Sequence, residues 1–189
     1  MYICIAIITD NIIQNNSRKI AYNLSQRSRI STLASRLPQH ISLKQSFRVD
    51  NIVEIEKYFD LFVKQMKSFE VTISKIDLCL MRSKNINTQI LWYDVKESTE
   101  LRELHDKLNR ELSDKFSVEK QGYDGDTFKF HSTIAFDTNK EDLFIDSFDI
   151  LKQKKISFSF KVKKIALFYC PDDEPNPGNF ITYKIQNLN

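Results

Sequence analysis

The chain has 189 residues, 41% of them hydrophobic and 28% charged, with a formal net charge of +3. Such a length can bury a core without disulfides or metals, and the composition excludes a disordered chain. The mild charge falls short of the cationic stripe of a duplex-binding protein, and no run approaches the roughly 18 uninterrupted apolar residues of a membrane helix.

The apolar run Tyr2 to Ile8 reads as a strand and lacks the basic leader of a signal peptide, so a cytoplasmic location with no membrane partner is expected. Ile12, Ile13, Ile20, Leu24 and Leu33 then space out a helix from about Asn11 to Ser35. Pro38 stops it, and alternation from His40 to Phe47 predicts a half-buried strand. Asp50 is placed to cap the next helix, whose stripe is Ile52, Ile55, Phe59, Phe62, Val63 and Met66.

Two strands, Phe69 to Leu80 and Ile86 to Val95, follow as a hairpin closed through Arg82-Ser-Lys-Asn85. Ser98 or Thr99 opens a helix that buries Leu101, Leu104, Leu108 and Leu112, and Gly122 with Gly125 marks the loop after it. A strand at Lys129 to Phe136, a helix from Lys140 to Gln153, and strands at Ile156 to Tyr169 and Asn179 to Ile185 complete the order. The loop Cys170 to Gly178, with three prolines and three acids, lacks the glycine and bidentate glutamate of a calcium loop. Cys4, Cys79 and Cys170 are too far apart for a zinc site and read as free thiols in apolar runs.

The second half repeats the first. Val71 to Cys79 aligns with Phe160 to Phe168 at an offset of 160 − 71 = 89, and His40 and His131 are separated by 131 − 40 = 91. A duplicated α+β unit is therefore expected. It would form one domain over residues 1–189 whose two pseudo-symmetric lobes, each an antiparallel sheet with flanking helices, enclose a central groove.

The repeat gives weight to a pair of short motifs. His40-Ile-Ser42-Leu43 and His131-Ser-Thr133-Ile134 share the order histidine, any residue, hydroxyl residue, aliphatic residue. On a strand, positions i and i+2 face one side, so each half presents an imidazole beside a hydroxyl with aliphatic residues behind. Either motif alone is common in strands; matched copies at equivalent places in a repeat are not. Two imidazoles flanking a phosphorus atom can act as general base and general acid near neutral pH, while the hydroxyls hold non-bridging oxygens.

With these two tetrapeptides the chain resembles the 2H phosphoesterase family, also called the 2′-5′ RNA ligase-like family. The resemblance implies a bilobal fold and metal-independent, cofactor-free cleavage of phosphodiesters, with His40, Ser42, His131 and Thr133 as catalytic residues. It also implies an RNA-like oligonucleotide or cyclic nucleotide substrate, 2′,5′-linked or 2′,3′-cyclic. RNA ligation, and a nucleotide-binding module without catalysis, remain alternatives on the same residues. Lys44 and Lys129 project toward the groove on regular strands, and Tyr169, Trp92, Tyr93 and Phe180 are candidates to stack a base. His105 reads as a surface residue of its helix.

Overall fold

A computed structural model describes every residue except Ser83, Asn176 and Asn189. It is an α+β fold of two antiparallel sheets. β1 (Tyr2–Ile8) leads into α1 (Asn11–Ser28), a 3-10 turn at Leu33–Arg36, β2 (His40–Ser42), β3 (Phe47–Arg48) and α2 (Ile52–Lys64). β4 (Glu70–Arg82), β5 (Asn87–Lys96), α3 (Thr99–Phe116), β6 (His131–Thr138), α4 (Glu141–Leu151), β7 (Phe158–Lys161), β8 (Lys164–Cys170) and β9 (Ile181–Asn187) follow. One sheet has the order β2-β1-β8-β9 with β3 also on β1; the other has the order β6-β5-β4-β7.

The duplication is visible in the caps. Asp10 and Ser98 cap α1 and α3, and Arg29 and Ser117 end them in the left-handed region at φ 50° and 52°; both pairs are 88 residues apart (98 − 10, 117 − 29). Each half runs strand, helix, histidine strand, helix, and then sends its next long strand into the other sheet. β4 pairs with β5, and β8 pairs with β1. Each sheet therefore needs both halves, and one continuous apolar core runs from Ile3, Ile5 and Ile7 to Leu91, Tyr93 and Val95.

Several boundaries differ from the sequence expectation. Arg29 turns the chain out of α1 well before Ser35. Asn51 rather than Asp50 caps α2, its side chain accepting from the Val53 amide at 3.0 Å. The long final strand is two, because the chain changes sheet between Lys161 and Lys164. The turn between β4 and β5 includes Ser83, and the loop before β9 includes Asn176; both lie outside the described residues.

The strand opened by His40 stops at Ser42, and Lys44 just beyond it turns inward. Its side chain, like that of its partner Asp124, is fully buried. The ammonium donates to the Asp124 carboxylate and to Asn109 Oδ1 at 2.8 Å. The groove role expected of Lys44 is thereby corrected: a charge that leaves water must find a buried partner, and this one lies inside. His105 is likewise no surface residue. It is 0% exposed, donates from Nδ1 to the Leu43 carbonyl at 2.7 Å, and accepts the Gly125 amide on Nε2 at 3.0 Å. Gly125 makes that contact with φ at 96°, a conformation that favours glycine. Burial holds the His105 pKa below the ordinary range, and the bond to Leu43 opposes the shift.

Asp124 also accepts the amides of Gln45 and Gln121, whereas Lys44 relies chiefly on Asp124. Asp124→Ala is expected to cost about 3–5 kcal/mol in urea unfolding because it strands a buried ammonium, and Lys44→Met is expected to cost less. Small and equal losses for the two variants would contradict this account of the pair.

Candidate active site

β1 carries β2 on one edge, with Ile8 opposite His40 and Ala6 opposite Ser42. β5 carries β6 in the same way, with Asp94 opposite His131 and Trp92 opposite Thr133. Behind the histidines Ile41, Leu43, Ser132 and Ile134 are all buried, as period-two alternation requires. His40 and His131 themselves are half-buried.

The two imidazoles are held alike. His40 Nδ1 bonds the carbonyl of Pro38 at 2.8 Å, and His131 Nδ1 bonds that of Lys129 at 2.8 Å. Since a carbonyl only accepts, Nδ1 carries the proton in both rings and the lone pair of the neutral ring lies on Nε2. Packing completes the positioning: the His40 ring meets the Phe168 ring edge-on at 4.7 Å, and His131 lies against Trp92 at 4.4 Å.

Their surroundings differ. Burial, opposed by the Pro38 bond, pushes the His40 pKa down to about 4, and His131 is close enough for its charge to lower it further. Burial also lowers the pKa of His131; the bond to the Lys129 carbonyl opposes the shift, the Lys129 charge adds to it, and Asp94 pulls the other way. Around His40 the neighbours are apolar: Cys4, Ala6, Ile8, Ala166 and Phe168 form a small cluster with Leu37 and Phe180. Lys129 reaches Asp94 at 3.2 Å and Asp77 at 3.6 Å, with its ammonium over the Trp92 ring, so a mixed charge network borders His131.

Ser42 Oγ lies 3.4 Å from Cys4 Sγ, a thiol that burial pushes up to about 11 and so keeps protonated. Thr133 pairs with Trp92 across β5 and β6. Trp92, expected as a base platform, packs against the His131 ring at a tilt of 33°, and Tyr93 is fully buried. Tyr169 packs against the main core and beside Tyr183 at 6.1 Å, on the face of β8 opposite Phe168. Its expected substrate contact is corrected by that orientation. Of the aromatic candidates, Phe180 and Trp92 lie on the groove side, Phe180 beside the Phe168 cluster and Trp92 against His131.

The residues that join the two motifs were not foreseen. Gln39 Nε2 donates to Ser132 Oγ and to the Thr133 carbonyl, both at 2.8 Å, and Ser132 Oγ donates to the His40 carbonyl at 2.6 Å. Gln39 is itself gripped by α1: its amide donates to Gln14 Oε1 at 2.9 Å, and Ser17 Oγ donates to its Oε1 at 2.5 Å. A signal was present for Ser132, which occupies an inward strand position where apolar residues are usual; Gln39, in the bend before β2, carried none.

The model of the 2'-5' RNA ligase superfamily matches residues 14–174, most of the chain. The chain belongs to that superfamily, the 2H phosphoesterases. Structures of superfamily-like fold agree across its whole length: TT0787 of Thermus thermophilus is 11% identical, covers 100% of this chain and 98% of its own, and has a TM-score of 0.63. E. coli LigT in its apo form is 15% identical, with 98% and 96% coverage and a TM-score of 0.53. LigT complexed with 3'-AMP is 15% identical, with the same coverage and a TM-score of 0.50. No curated protein matches the sequence. At these identities the 2H likeness is one of fold.

Gln39→Ala removes the donors that bridge the two histidine strands and leaves buried acceptors unpaired, a loss of about 1–3 kcal/mol. Thermal unfolding is expected to register that loss, and phosphodiesterase turnover to fall at least about tenfold through misplaced imidazoles. Unchanged turnover would show that the bridge does not position the site.

Proposed function

We propose that this 2H protein is a metal-independent phosphodiesterase acting on 2′,5′-linked oligonucleotides or 2′,3′-cyclic phosphates. The observation that carries the reading is the matched fixing of the two imidazoles, each tied through Nδ1 to the carbonyl two residues upstream. E. coli LigT, of like fold, has been crystallised with 3'-AMP, which supports a ligand of nucleotide kind.

In this scheme neutral His40 accepts a proton on Nε2 from the attacking oxygen, either water or a neighbouring ribose hydroxyl. The new O–P bond forms as the bond to the departing oxygen breaks, and protonated His131 gives that oxygen its proton. The assignment follows the environments: His40 sits among apolar groups that disfavour its charged form, whereas His131 faces Asp94. Ser42 and Thr133 donate to the non-bridging oxygens. Attack by a ribose hydroxyl leaves a cyclic phosphate, and attack by water leaves a monoester.

His40→Ala and His131→Ala are each expected to lower kcat by about 10²- to 10⁴-fold with folding retained and with no effect of a chelator. The base must be neutral, so kcat/KM falls as pH drops through about 4, the His40 value. The acid must be protonated, so it falls again as pH rises through the depressed pKa of His131. A pH profile peaking on the acid side of neutrality is the expected result; a peak above about pH 8 would contradict the assignment.

A further inference from the structure

An open cavity of about 520 Å³ lies next to the His40 side of the groove, lined by Arg36, Leu37, Pro171, Asn179, Phe180 and Thr182 among others. Its volume is in the range of small-molecule sites. Its wall is shared with the site: Leu37 and Phe180 pack on the cluster containing Phe168, the ring that touches His40. Thr182 pairs with Phe168 and extends the same sheet face.

The chemistry of the lining is selective. Phe180 and Leu37 offer apolar surface, and Asn179, hydrogen-bonded to Asp172, puts amide and carboxylate atoms at one end. Arg36 is exposed and donates to the Gly178 carbonyl at 3.1 Å; among the described residues it forms no ion pair. A flat heteroaromatic ring with polar edges, joined to a phosphate, matches an aromatic wall, amide groups and an exposed guanidinium.

We propose that this cavity seats the nucleoside carrying the attacking ribose hydroxyl, so that the preferred substrate is an oligonucleotide of at least two nucleotides. The proposal rests on the two-histidine reading with His40 as base. In an in-line displacement the attacking and departing groups lie on opposite sides of phosphorus, so the nucleoside with the nucleophile lies beside His40. A 2′,3′-cyclic mononucleotide opened by water leaves that side to water and gains nothing from the cavity.

The test compares kcat/KM for a 2′,5′-linked dinucleotide and a 2′,3′-cyclic mononucleotide in wild type, Phe180→Ala and Arg36→Gln. The ratio of dinucleotide to mononucleotide is expected to fall about tenfold or more in each variant, the scale of a lost base stack. An unchanged ratio in Arg36→Gln overturns the proposal even if Phe180→Ala fails to fold, because Arg36 is exposed and its replacement leaves the core intact. If wild type cleaves neither substrate, the catalytic reading fails. Titration of the dinucleotide into wild type and Arg36→Gln then decides on the cavity alone: binding about tenfold weaker in the variant supports it, and equal affinity or no binding to either refutes it.

Discussion

The hydrogen bonds that Gln39 and Ser132 make between the two motifs are the constraint on which the placing of the histidines depends. β2 and β6 belong to different sheets, so no ladder joins them, and the two imidazoles would otherwise be placed only by the packing of one half on the other. One amide group donating to both Ser132 and Thr133, with Ser132 returning a bond to the His40 carbonyl, ties the main chain of each motif to the other. Because these polar groups are buried, each lost partner leaves an unsatisfied one, and the arrangement resists slippage.

The exchange of strands acts at longer range. β4 completes the sheet of the second half and β8 that of the first, so displacement of either half must break ladder hydrogen bonds as well as core contacts. The buried Lys44–Asp124 pair and His105 add a third tie, between the end of β2 and the loop leading to His131. The chain just after His40 and the chain just before His131 are thus anchored to each other, as well as the two motifs being tied directly. The two lobes are similar in backbone but not in chemistry: one lines the groove with Ala6, Ala166 and Phe168, the other with Asp94, Asp77 and Lys129. In the proposed scheme, that asymmetry is what assigns opposite roles to two like imidazoles.

Much of this was legible in the sequence because it follows from periodicity. Of the row Leu101, Leu104, Leu108 and Leu112, all but the half-buried Leu104 are buried as their spacing requires, and the alternation around each motif placed His40 and Ser42, and His131 and Thr133, on one face. The repeat was readable too, though not that its long strands change sheets. What escaped were polar residues whose partners lie far away in sequence. Lys44 was read outward because lysine is costly to bury, and only Asp124, eighty positions on, reverses that preference. His105 follows the same rule with Leu43 and Gly125. Tyr169 was misread for a different reason: strand position does not say which side of a sheet is the groove.

The central claim is that His40 takes the proton and His131 supplies one across a single phosphate. A dinucleotide substrate with sulfur in place of the departing oxygen tests it most directly, because a thiolate leaves without an acid. The account predicts that His131→Ala regains most of the wild-type rate on this substrate while His40→Ala stays inactive. Restoration of His40→Ala instead, or of neither variant, would contradict it.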